Sequence, residues 1–62
     1  MKKHIAPVPR FLSMQDLAER LSVSSKTVSR WIASGDLRAH RLGRQVRIAE
    51  EDAIAFVASR RR

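Results

Sequence analysis

Two short stretches carry the side chains best suited to gripping an anionic polymer. Residues 25–30 supply Ser25, Lys26, Thr27, Ser29 and Arg30, and residues 41–47 supply Arg41, Arg44, Gln45 and Arg47. Arginine presents a planar fork of donors that can bind guanine O6 and N7 together, lysine reaches guanine or phosphate, and small serines let a helix approach base edges closely. Thr27, at the start of its segment, suits phosphate contact or local capping better than base reading. Other chemistry has less to work with. The chain has no cysteine, so it offers neither a disulfide framework nor a thiolate zinc site. His4 and His40 are too few for a structural metal site without carboxylate help. Glu50, Glu51 and Asp52 could suggest acid–base work, but the sequence shows no nucleophile–base pair, no phosphate-cradling glycine loop and no metal-ligand spacing. No catalytic residue, no metal and no cofactor is therefore expected.

The charge balance points the same way. Thirteen Lys and Arg against six Asp and Glu give +7 over 62 residues, which calls for a polyanionic partner, nucleic acid or an anionic membrane. The excess is not evenly spread: residues 11–22 carry a net −1 and residues 49–59 a net −3, so two segments are kept out of the basic surface. Apolar residues at 44% and charged residues at 31% are ordinary for a folded domain. A chain of this length supports one small domain that buries only about 60% of the surface its unfolded form exposes, which leaves little room for an enzyme. No run approaches the roughly 20 apolar residues of a membrane span, and no apolar stretch follows Met1-Lys2-Lys3 to make a secretory signal. A cytoplasmic, nucleoid-associated location is expected.

The elements that must position the two basic clusters follow from periodicity and caps. Ser13 followed by Asp16 resembles a capping box, and Met14, Leu17, Ala18 and Leu21 recur at helical spacing, predicting a first helix over 14–21. Ser22-Val23-Ser24 breaks it, with Ser24 as the next N-cap. Val28, Trp31 and Ile32 form the inward stripe of a second helix that stops at Gly35, leaving Ser25, Lys26, Ser29 and Arg30 on its outer face. A connection of about three residues is the helix-turn-helix spacing. Over 37–48 the period changes, and Gly43 between two short runs predicts a hairpin. Keeping Leu42, Val46 and Ile48 on one core face requires a three-residue loop, Gly43-Arg44-Gln45, with Leu42 opposite Val46, His40 opposite Ile48 and Arg41 opposite Arg47. Like charges facing each other across strands are destabilising unless an anion sits over them, so that register favours phosphate or minor-groove contact, with Arg44 at the tip. A last helix, about 50–59, starts on three acidic residues, where the helix dipole favours them, and turns Ala53, Phe56 and Val57 inward. Trp31 reads as a core residue packed under the hairpin rather than a base-stacking one, and His40 as a half-buried strand-end residue.

The runs Phe11-Leu12-Ser13, Leu17-Ala18, Leu21 to Ser24, Thr27 to Ile32, Ser34 to Leu37, Leu42-Gly43-Arg44, Arg47-Ile48 and Glu51-Asp52 stand in an order that resembles the excisionase-type branch of the MerR-like winged helix-turn-helix superfamily. The resemblance covers residues 11–57. It implies a mainly α fold with a small two-stranded wing, a second helix that enters the major groove, and a wing that touches the adjacent backbone or minor groove. This sequence departs from the pattern at Ser22, where glycine is usual, and at Val46, Ala49 and Ala53, where an aromatic, a proline and a leucine are frequent. It also lacks the long dimerising helix of full MerR regulators.

The reading that follows is a sequence-specific double-stranded DNA-binding protein, an excisionase or recombination directionality factor. It would bind repeated sites, associate head to tail on DNA, bend it and assist an integrase in excising a mobile element. A small transcriptional regulator using the same surface is the alternative. An RNA- or membrane-binding basic module is more remote, because Phe11, Trp31 and Phe56 are mostly core positions rather than a stacking platform. The domain is expected over 11–59. Residues 1–10 are read as a flexible basic arm and 60–62 as a basic tail, with extended docking of Ile5-Ala6-Pro7-Val8-Pro9 on a neighbouring protomer as the alternative for the arm.

Overall fold

Ser13 ends one element and starts the next. In the computed structural model, which describes residues 10–60, its hydroxyl accepts from the Asp16 N–H at 3.0 Å while the Asp16 carboxylate accepts from the Ser13 N–H at 3.4 Å. That capping box satisfies two otherwise orphaned donors and starts helix α1, Met14–Leu21, as the spacing predicts. Ser22 closes the helix in the left-handed conformation, φ 57. Its N–H reaches the Glu19 carbonyl at 3.2 Å and that of Val23 reaches Ala18 at 2.9 Å, the paired bonds of a Schellman closure. Ser24 then caps helix α2, Ser25–Ser34, by accepting from the Thr27 N–H at 3.1 Å. Gly35, at φ 87, ends α2, and the chain folds back so that the Leu37 N–H binds the Trp31 carbonyl at 3.1 Å and the Leu37 side chain is buried.

The sheet has three strands, where a two-stranded wing is expected. Phe11–Ser13 forms strand β1 ahead of α1; β2 is His40–Leu42 and β3 is Gln45–Ala49, in the antiparallel order β1-β3-β2. The expected hairpin register is also overturned. His40 lies opposite Arg47, Arg41 opposite Val46 and Leu42 opposite Gln45, so the loop is the two residues Gly43-Arg44. Gly43 has φ 67 and occupies the first central position, where a two-residue hairpin of type II′ takes glycine. The physical reason is β1. It sets Leu12 opposite Ile48, which completes the inner face without Leu42, and Leu42 turns outward at 46% exposure. Helix α3, Glu50–Ser59, follows β3 directly.

The core gathers Leu17, Ala18, Val28, Leu37, Ile48, Ala53 and Phe56, with Val28 and Ile48 fully enclosed at 0% exposure. Trp31 packs on α3 rather than under the wing: its ring lies 4.7 Å from that of Phe56. Arg60 sits with its guanidinium 4.8 Å from the Phe56 ring and pairs with Asp36 at 3.1 Å. The remainder of the expected arm and tail, residues 1–9 and 61–62, lies outside the described residues. Among the described residues no helix is long and apolar enough to cross a membrane.

Candidate nucleic-acid interface

Helix α2 exposes the polar face that its apolar stripe leaves over. Ser25, Lys26, Ser29 and Arg30 are all exposed, while Val28 is enclosed. Ser25 and Ser29 lie one turn apart, as do Lys26 and Arg30, so each pair forms a row along the helix. Thr27 is half-buried and engaged locally: its hydroxyl lies 3.0 Å from that of Ser24, and its N–H is the one Ser24 caps.

The wing and the start of α2 meet in one open cleft, floored in part by Met14 and Val46. Its walls include Ser25 from α2, Arg44, Gln45 and Arg47 from the hairpin, and Ser13 and Gln15 from the start of α1. No acidic side chain lines it. Four of the residues expected to bind nucleic acid are thus brought together. Lys26, Thr27, Ser29, Arg30 and Arg41 are not part of these walls. Lys26 and Arg30 continue outward along the exposed face of α2, and Arg41 is exposed on β2.

The observed register removes one argument for the wing. Residues directly opposite each other in an antiparallel pair share a face, so Arg41 shares its face with Val46 and Arg47 shares its face with His40 and Ser13. The two arginines lie on opposite faces of the sheet and form no like-charge pair. Arg47 is instead half-buried and held along its own strand, donating to the Val46 carbonyl at 2.8 Å and to Gln45 Oε1 at 3.2 Å. The guanidinium is thereby fixed in orientation at the cleft wall. Arg44, at the loop, is exposed.

Sequence reasoning missed Gln15. It is an exposed polar residue in the first turn of α1, and the capping signal at Ser13 did mark a helix start there. What places that start beside the wing is the β1–β3 ladder, in which Ser13 pairs with Arg47, and a three-residue strand leaves no periodicity to read.

The acidic turn of α3 does not line this cleft, whereas the Asp16 carboxylate lies beside it on the Ser13 N–H at 3.4 Å. Glu50, Glu51 and Asp52 fill the first turn of α3, whose N-cap Ala49 offers no side-chain cap, so their favourable placement comes from the helix dipole. Asp52 reaches His40 Nε2 at 3.4 Å, and the His40 ring meets Phe11 edge-on at 5.4 Å. His40 thus ties β2 to β1 and α3. Among the described residues Arg60–Asp36 is an ion pair and His40–Asp52 a hydrogen-bonded contact, and Lys26, Arg30, Arg41 and Arg44 have no acidic partner. No group of three or more His, Cys, Asp or Glu that could hold a metal ion occurs among them.

Comparison with known proteins adds three findings. Residues 11–61 match the family described as "Helix-turn-helix domain". Uncharacterized proteins of Mycobacterium bovis and Mycobacterium tuberculosis are 42% identical over 57 residues, which is 92% of this chain and 50% of theirs. An excisionase of Mycobacterium phage D29 is 45% identical over 47 residues, covering 76% of this chain and 84% of the phage protein. The chain therefore spans half the length of the two mycobacterial relatives.

Proposed function

From the premise that the chain belongs to the helix-turn-helix domain family, we propose that it is a sequence-specific double-stranded DNA-binding protein of the excisionase type, on the MerR-like branch of winged helix-turn-helix proteins. Helix α2 lies in the major groove, where Arg30 and Lys26 reach base edges and Ser25 and Ser29 allow close approach. The wing follows the adjacent backbone, with Arg44 at the narrow minor groove. Arg47 acts as a pre-oriented phosphate contact, because its fork is already held by Gln45 and the Val46 carbonyl. Copies bind repeated sites head to tail and bend the DNA between them, which helps a recombinase assemble an excision complex. The protein performs no chemistry itself.

The observation that carries this reading is the single cleft in which Ser25 of α2 meets Arg44, Gln45 and Arg47 of the wing with no acidic wall. The similarity to a phage excisionase supports the recombination role over promoter binding. Footprinting of the purified protein on DNA from its own host, paired with an excision assay using an integrase from that host, tests it. Tandem protected repeats beside an attachment site, with excision dependent on the protein, are expected. Protection confined to promoters would make it a transcriptional regulator.

A further inference from the structure

A second groove, apolar rather than basic, runs between α1 and α3. Leu12, Leu17, Leu21, Ala53, Ile54 and Val57 line it, with Arg20 and Glu50 also in its walls. The α3 side is a stripe at i, i+3, i+4 and i+7 from Glu50, and Ile54 and Val57 on it stand 64% and 42% exposed. Helix α3 already buries Ala53 and Phe56 in the core, so the exposed pair forms a second apolar side on a helix whose inner side is satisfied. Covering that pair would add apolar burial, of which a domain this small has little.

The described chain begins at the end of this groove. The Arg10 carbonyl accepts from the Glu50 N–H at 2.8 Å, and Leu12, two residues later, pairs with Ile48. Glu50 and Leu12 both line the groove, so the described chain starts, at Arg10, beside its mouth. Residues 5–9, which lie outside the described residues, read Ile5-Ala6-Pro7-Val8-Pro9, five residues without a charge. Extended at ~3.1 Å per residue they reach roughly 16 Å, more than the ~10 Å over which α3 rises from Glu50 to Val57. Two prolines favour that extended backbone and remove two N–H donors that an apolar groove could not satisfy. A tethered segment also escapes the translational cost that a separate partner must meet.

We propose that residues 5–9 fill the α1–α3 groove of their own chain, with Ile5 and Val8 covering Ile54 and Val57. The segment completes the core that Ala49 and Ala53 leave thin. This inference is independent of DNA binding and is tested without DNA.

The test is methyl NMR on the full chain, with Ile and Val methyls labelled. Cross-peaks from Ile5 and Val8 to Ile54 and Val57 within one chain are expected. Cross-peaks seen only between differently labelled chains in a mixed sample would overturn the proposal in favour of arm exchange, and their absence would overturn it outright. The double variant Ile5→Ser, Val8→Ser provides a second readout, since it alters no residue of the described core. A fall in Tm of several degrees with a shift of the Ile54 methyl signal is expected. An unchanged Tm with an unmoved Ile54 signal would contradict the docking.

Discussion

Ser22 holds the turn between α1 and α2 at φ 57, a conformation that costs a residue with a Cβ roughly 1–2 kcal/mol and glycine almost nothing. After the extra backbone entropy that glycine loses on folding, Ser22→Gly should stabilise the domain by about 0.5–1 kcal/mol. A urea melt checks this, and a loss of stability would mean that the Ser22 hydroxyl contributes something its exposed position does not show. Arg30 is exposed on α2 and has no acidic partner among the described residues. Arg30→Ala should relax preference at one base position by about 1–3 kcal/mol, measured by competition among single-base variants of a bound duplex. Equal weakening on every variant would demote Arg30 to a phosphate contact. At this scale the sequence was most informative. Ser13, Ser24 and Gly35 are visible as caps because capping depends on residues three or four positions away. Gln15 was not visible as a cleft residue, because its neighbour Arg47 lies more than thirty positions along the chain and is brought close only through β1.

The wing shows how an element can be foreseen while its register is not. Gly43 and the alternating runs on either side identify a hairpin. A three-residue loop follows only if Leu42, Val46 and Ile48 must share the core face. Strand β1 invalidates that premise by supplying Leu12 as the partner of Ile48. Three residues ahead of a helix, two of them apolar, read equally well as a helix approach, so β1 left no signal of its own. The register has a direct mutational signature. Leu42 is half-exposed opposite Gln45, so Leu42→Thr should change stability by no more than about 0.5 kcal/mol. A cost of about 2 kcal/mol or more would place Leu42 in the core and restore the longer loop. The helices were legible to the residue in α1 and close to it in α2 and α3, because three or four apolar contacts at a period of 3.6 overdetermine each one.

For the whole molecule, the segregation of charge is the property that sequence and structure share. The acidic first turn of α3 ties to His40 and lies off the cleft, while Arg44 and Arg47 line the cleft beside Ser25. An exposed cationic face of this kind should give DNA affinity that falls steeply with salt, with a log–log slope on the order of −5 for five to six phosphate contacts. Arg44→Ala should weaken binding on every duplex and make that slope shallower by about one. A wild-type slope near zero would contradict the charge argument, and an unchanged slope in the variant would remove the loop tip from the interface. The core that supports this face is small and contains two alanines where bulk would be expected, Ala49 and Ala53. Modest intrinsic stability follows from that, and neither alanine touches the cleft.

Whether α2 and the wing together form the DNA-binding face is read most directly by titrating the isotope-labelled chain with a footprinted duplex and following backbone NMR. The largest perturbations are expected at Ser25, Lys26, Ser29 and Arg30 and at Arg41, Arg44 and Arg47, with the acidic first turn of α3 unmoved. Perturbations centred on α3, or none along α2, would contradict an interface formed by α2 and the wing.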